Sequence, residues 1–375
     1  MTTNKKVLPT HHSQARRFLE LIAISGELPA DQASRIFTSE SYQEAVITSL
    51  KEKRLIRTYY KDRLRGYRLT AAAKKLLLEN NDERFNFYLV GDVDTNRLKS
   101  EITRRLRLHR IAETHITMQN AGVSVFQDEK PDVFYPSDCE AELPVIDSSA
   151  FYNSREIKEV GTDFVKIRGA RTVGTLLTES KAYIVYNTGS FLMKWEYKSE
   201  MRTKALMKTL LCRERMPEQY TPDDIQGIVF GADMDVAFLL LTSTGGVKHN
   251  YFLLDGNYDH FYFLTSDHKG EILLKLLCDS ERTTELNHIL SENLKERDAG
   301  LVIENDAIDE NGNPVLFAYS FDMPRITRFT SALQIYGKNG VLICFDFQAD
   351  ILRRYCGEQV TIQTIDFVKC ERRFL

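Results

Sequence analysis

Between residues 14 and 78 the apolar positions keep a helical period, switch to strict alternation, then return to a helical period. In QARRFLELIAISG, Ala15, Phe18, Leu21, Ile22 and Ile24 fall on one face, which predicts a helix over roughly 14–25 closed by Gly26. Pro29 opens a shorter second helix with Ala33, Ile36 and Phe37 turned inward. TSESYQ offers N-cap candidates at Thr38, Ser39 and Ser41, and a third helix runs to about Lys53 around a seam of Val46, Ile47 and Leu50. Its outer face carries Ser41, Tyr42, Ala45, Thr48, Ser49 and Glu52. LIRTYY and GYRLT alternate as two strands around the turn KDRLRG, and Thr70 caps a fourth helix, AAAKKLLLE.

Helix, helix, helix, strand, basic turn, strand, helix is the plan of a winged helix-turn-helix. Such a domain needs a third helix with an apolar seam for docking and short polar side chains toward its exposed start, where base edges come near. Ser41, Tyr42, Gln43 and Thr48 meet that need. It also needs cations on the hairpin, because phosphates line its path. Arg57, Lys61, Arg63, Arg65 and Arg68 supply them within twelve residues. The same elements could serve a protein-interaction module whose charged hairpin is merely solvated. The expected partner is duplex DNA, and a homodimer is expected because two half-sites multiply specificity.

Further along, NRLKSEITRRLRLHRIAETH predicts a helix over 95–119 with Leu98, Ile102, Leu106 and Leu108 as apolar contacts. Arg104, Arg105, Arg107 and Arg110 crowd its middle, and the helix either extends the DNA-facing surface, forms a dimer seam, or is a connecting helix with solvated arginines. From 123 to 160 the text is acidic and punctuated by proline, without a period. Residues 161–375 alternate strand and helix signals, among them a TVGTLLT/KAYIVYNTG hairpin, which argues for a mixed, partly parallel sheet. The expected plan is thus multi-domain α/β. It has an arm at 1–13, a winged helix at 14–80, a basic connecting helix at 81–122, a loop-rich join at 123–160 and an α/β domain at 161–375.

Charge sharpens this division. The chain carries a net charge of -3, but residues 1–110 hold 22 Lys+Arg against 13 Asp+Glu, a net of +9, leaving -12 for the rest. Only the front is suited to a polyanion. The six cysteines are scattered without zinc spacing, and no apolar run approaches a membrane span. The polar start MTTNKKVLPTHHS is not a signal peptide, so a cytoplasmic location with no membrane partner is expected.

Chemistry in the α/β part is sparse. A metal-dependent nuclease would need two carboxylates at adjacent strand ends and a nearby Lys. Asp163, Glu179 and Lys181 are the candidate trio, with Mg as cofactor in that case alone, while Glu156/Lys158 and Glu196/Lys198 repeat the triplet by composition. Asp233, Asp235, Asp255 and Asp346 follow strand signals, where turn or cap roles are the common outcome. Neither a nucleotide-binding glycine loop nor a zinc motif occurs, so no cofactor and no metal are expected otherwise.

The run SLKEKRLIRTYY…GYRLTAAAKKLL resembles the winged-helix domain of the replication-relaxation family, carried on plasmids and integrative elements of Gram-positive bacteria. The arginine-rich helix with His109, and the Pro131–Asp132 pair, are similar too, so that the likeness covers about the first third of the chain. It implies a DNA-binding accessory in plasmid replication, mobilisation or its control, with a replication or relaxase protein as partner. Two alternatives stand beside it: a nuclease-like α/β domain delivered by the winged helix, and a ligand-sensing transcription regulator.

Overall fold

A computed structural model describes residues 7–134, 143–158, 170–246, 251–254, 256–297, 300 and 302–374. The architecture is mixed α/β, and the chain divides into two compact units, 1–131 and 132–375.

The first unit opens with α1 (Gln14–Ser25), capped by the Ser13 hydroxyl on the Arg16 amide and ended by Gly26 at φ 79. The expected second helix is different in kind. Leu28–Pro29 form a two-residue strand, β1, and Ala30–Arg35 a 3-10 turn. Pro29 is fixed near the polyproline angles, which suit an edge strand better than a helix start. Next comes α2 (Glu40–Glu52), capped by Ser39, with Val46, Ile47 and Leu50 buried. Strands β2 (Ile56–Lys61) and β3 (Leu64–Leu69) form an antiparallel hairpin, and β1 pairs with β3, giving the order β1-β3-β2. Thr70 caps α3 (Ala71–Asn80), followed by α4 (Asp82–Leu89) and α5 (Ile102–Asn120).

The segment expected as a separate connecting helix belongs to this first unit, for a physical reason. Arg84 on α4 is bound by Glu20 of α1 at 3.4 Å, Asp128 at 2.8 Å and Glu129 at 2.5 Å, and lies over the Phe126 ring. Burial of one guanidinium among three carboxylates ties the start of the unit to its end. The helix itself begins at Ile102 rather than 95, and its apolar pattern is weaker than expected. Leu108 is buried, but Ile102 and Leu106 are exposed.

In the second unit, β4 (Ala150–Asn153), β5 (Gly174–Leu177), β6 (Ala182–Gly189), β7 (Ile225–Gly231) and β8 (Phe261–Thr265) form a five-stranded sheet in that order. Its first three strands are antiparallel and its last three parallel. Helices α6 (Ser154–Lys158), α7 (Tyr197–Thr209) and α8 (Met234–Leu241) follow β4, β6 and β7. After α9 (His268–Cys278) and α10 (Ser280–Ser291), β9 (Ala307–Ile308), β10 (Pro314–Phe317), β11 (Gly340–Phe345) and β12 (Val360–Ile365) form a second sheet, with β10, β11 and β12 parallel. Connecting helices α11 (Met323–Tyr336) and α12 (Ala349–Cys356) complete it, and α13 (Phe367–Phe374) replaces the last residues expected in strand VTIQTIDFV. One buried cluster, including Val229, Phe261, Phe263, Leu316, Phe321 and Leu342, runs through both sheets. Strand β4 and helix α6 lie inside the stretch expected as a structureless join, where their shortness gives no readable period. Among the described residues no helix is long and apolar enough to cross a membrane.

Candidate nucleic-acid interface

The β2–β3 hairpin turns in two residues. Lys61 pairs with Leu64, and Asp62 and Arg63 stand at φ 54 and φ 63, the left-handed angles of a type I′ turn. Arg63 holds that angle although non-glycine residues disfavour it. The turn expected over KDRLRG is therefore tighter than its sequence suggests, and the strands carry their ladder to the tip.

Register places Arg65 with Tyr60 on one face and Arg57, Lys61 and Arg68 on the other, and on both faces it is the covering by neighbouring elements that decides which side chains are buried. Tyr60 lies across from Arg65 at the solvent end of one face, where Tyr60 is 68% exposed. Arg57, Lys61, Arg63 and Arg65 are all exposed, and among the described residues the Lys61 ammonium donates to the Ser100 hydroxyl alone, at 3.4 Å. Farther in on the Tyr60 face, Tyr67 is buried against Phe18. On α2, Ser41, Tyr42 and Thr48 are exposed and Gln43 is half-buried. Tyr42 sets its ring edge-on to Phe37 at 6.0 Å, and Lys51 lies over the Tyr67 ring of the hairpin at 5.6 Å. The first-turn side chains of α2 and the hairpin cations thus belong to elements packed on one small core. Sequence reading missed Tyr60 as a member of this surface. Its signal was parity, since it shares a face with Arg65.

Two expected DNA contacts are elsewhere. Arg68 and Arg105 are buried, at 3% and 0% exposure, and both grip Glu27. Leu28 and Tyr67 are partners in the ladder, so Glu27 faces Arg68 one step along. Arg68 Nε donates to Glu27 Oε2 at 2.7 Å. Arg105 Nη2 donates to Glu27 Oε1 at 2.5 Å, and His109 Nε2 lies 2.8 Å from the same oxygen. Arg105 also donates to the carbonyls of Lys61 at 2.7 Å and Leu64 at 3.1 Å, the two residues that flank the turn. Both guanidinium groups lie over the Tyr59 ring, at 3.6 Å for Arg68 and 4.7 Å for Arg105. Gly66 admits the carboxylate, since a Cβ there would stand 2.4 Å from Glu27 Oε1. These groups brace the hairpin from within and cannot meet a phosphate. Burial pushes the Glu27 carboxyl up, but the bonds from His109, Arg105 and Arg68 outweigh it and hold its pKa down at about 2.

The other arginines of α5 divide. Arg107 is exposed, Arg104 is exposed but paired with Glu101 at 3.0 Å and Asp94 at 3.6 Å, and Arg110 is half-buried. Only Arg107 remains a ready extension of the hairpin surface.

The nuclease trio does not assemble among the described residues. Asp163 lies outside them. Glu179 is exposed in the β5–β6 turn, and Lys181 is held by Asp224 at 2.5 Å. Glu156 accepts the Asn153 amide at 2.7 Å on α6, and Glu196 is exposed at the start of α7. Of the strand-end aspartates, Asp233 caps α8, Asp235 pairs with Arg354 at 3.1 Å, Asp346 accepts the Phe347 amide, and Asp255 lies outside the described residues. No group of three or more His, Cys, Asp or Glu residues is set to hold a metal among the described residues. No family model matches the chain, and no curated protein and no solved structure matches it.

Proposed function

We propose that the first unit is a winged helix that binds duplex DNA, with Ser41, Tyr42, Gln43 and Thr48 toward base edges and Arg57, Lys61, Arg63 and Arg65 on phosphates. The observation that carries this reading is the hairpin. Its four exposed cations lack acidic partners among the described residues, while its buried Arg68, together with Arg105 of α5, is neutralised by the buried Glu27. A merely solvated hairpin has no need of that separation. Tyr60 joins the surface as a flat apolar tip, and Arg107 is a secondary phosphate contact. The narrower reading, an accessory of plasmid replication or mobilisation acting as a homodimer with a replication or relaxase partner, is supported by the sequence resemblance alone.

The test is a titration of mixed-sequence duplex DNA with the full chain over a range of salt, magnesium present, with products run on a gel. Wild type binds, affinity falls steeply with salt, and the DNA stays intact. Lys61→Ala/Arg63→Ala/Arg65→Ala lowers the slope of log affinity against log salt by about 2–3. Absence of binding by wild type at low salt overturns the reading, and cleaved DNA replaces it with the nuclease.

A further inference from the structure

The edge strands of the second unit are closed in different ways. Strand β4 is buried along its whole length. On β8 the Phe263 amide donates to the Phe321 carbonyl at 3.1 Å, and Tyr262 bridges Asp322. On β9, Ile308 exchanges both backbone bonds with Lys295, at 2.8 and 3.0 Å. Strand β12 ends the second sheet on its other side and has no such cover among the described residues.

Only half of its backbone is committed. Strand β12 runs parallel to β11 with Gly340 beside Val360, and the Gly340 amide donates to the Gln359 carbonyl at 3.0 Å. In a parallel ladder a residue turns its N–H and C=O to one side and the next residue turns both to the other. Thr361, Gln363 and Ile365 therefore bond to β11, whereas Val360, Ile362 and Thr364 present both groups outward. No described residue takes them up. Helix α13, which follows, packs elsewhere: Phe367 meets Phe345 of β11 edge-on at 5.4 Å, and Glu371 lies 2.6 Å from His268 of α9.

Composition leaves this edge unguarded. Natural sheets blunt an open edge with a charge, a proline or a bulge. The outer strand of the hairpin sheet, β2, carries Arg57 and Lys61. By contrast VTIQTI has no charge and no proline, pairs with β11 without a break in register, and is mostly β-branched. Ile362 at its centre packs on the core cluster yet is only half-buried.

We propose that β12 pairs with the same strand of a second copy of this chain, antiparallel about a two-fold axis at Ile362. The axis sets Val360 against Thr364 of the partner subunit and Ile362 against Ile362 of the partner subunit. Every outward N–H and C=O is then matched, and two half-buried isoleucines meet. Thr361 faces Gln363 of the partner subunit, so no like charges oppose within the strand. Past the last pair, Asp366 has the Lys369 ammonium at 3.4 Å to offset Glu358 of the partner subunit. A second copy is the fitting occupant because β12 is its own complement, and one surface thereby closes itself. The pairing rests on no property of the first unit and stands whether or not that unit binds DNA.

The full chain, without DNA, is sedimented at about 1–200 µM, the range suited to an interface of so few residues. The expected result is a reversible monomer–dimer equilibrium. The Ile362 and Thr364 amides are protected from hydrogen exchange at the high end and lose protection on dilution, while those of Thr361 and Gln363 keep theirs. Thr361→Lys/Gln363→Lys sets like charges across the axis and weakens the dimer at least about tenfold, whereas Thr361→Lys/Gln363→Glu sets opposite charges there and stays within about threefold of wild type. Both side chains are exposed, and an unchanged far-UV circular dichroism spectrum checks that the variants fold. A wild type that stays monomeric at the high end overturns the proposal. A dimer in which the Ile362 amide remains unprotected, or which responds equally to the two double substitutions, overturns it too.

Discussion

Arg65 and Arg68 stand three residues apart on one strand and have opposite fates. Arg65 points to solvent beside Tyr60, whereas Arg68 is enclosed with Glu27, Arg105 and Tyr59. A strand sends alternate side chains to opposite faces, and both faces are covered toward the base of this hairpin, by Phe18 over Tyr67 on one side and by Glu27 and α5 over Arg68 on the other, while the Arg65 end of its face stays open. The lesson is that a run of basic residues is not one electrostatic feature. Part of it can be a binding surface while the rest is internal structure, and the covering element decides which.

The sharpest way to break this contrast is Glu27→Ala. It leaves two buried guanidinium groups without their carboxylate and is expected to destabilise the first unit by about 3–5 kcal/mol, read by urea unfolding. DNA binding should be lost with the fold. A small effect on stability would mean that the arginines do not depend on Glu27.

Acid should act on the same point. The folded pKa of Glu27, about 2, lies below its ordinary 4.5, so its contribution is complete above pH 4.5 and is lost as the pH falls toward 2. The linkage amounts to about 3 kcal/mol. His115 works in the same direction. Burial, with Lys130 adding to it, drops its pKa to about 3 from 6.5, so its neutral form stabilises the fold above pH 6.5 and that contribution declines below. Hydrogen-exchange protection of amides 56–69, corrected for the intrinsic rate, should therefore fall through this window. Flat protection from pH 6.5 to 3 would contradict both assignments.

Next in size is the direct pair. Arg68→Ala should cost about 1–3 kcal/mol, because Glu27 keeps Arg105 but loses a charged partner. Arg65→Ala should change stability by less than about 0.5 kcal/mol. It should instead lower the salt slope of DNA binding by about 1. Reversal of the two outcomes in thermal unfolding would show that the burial pattern is misassigned.

The smallest effect concerns the tip. Arg63→Gly relieves a left-handed residue in a turn that favours Asp-Gly and should raise stability by about 0.5–1 kcal/mol. The same change removes an outward cation, so DNA affinity should fall while the melting temperature rises. That divergence would separate the fold from the proposed function at one residue.

Much of the first unit was legible in the chain itself. The caps Ser39 and Thr70, the seam Val46, Ile47 and Leu50, and the hairpin strands follow from local chemistry and from period, which act within a few residues. The hairpin β5–β6 was legible for the same reason, and a partly parallel sheet in the second unit from the alternation of strand and helix signals. Pro29 misled, because a proline that starts a helix and one on an edge strand share the same φ, and only pairing with Gly66 chose between them.

What only the tertiary structure decided is which charged groups are inside. Glu27 is 41 residues from Arg68 and 78 from Arg105, and neither separation leaves a mark on any local pattern. Nothing in TRRLRLHR distinguishes Arg105 from Arg104 or Arg107 until α5 covers the hairpin and leaves one position with no water to face. Period and capping act between neighbours and can be read from one line of text. Burial of a charge is a property of the closed three-dimensional surface, so it is settled only when distant elements meet.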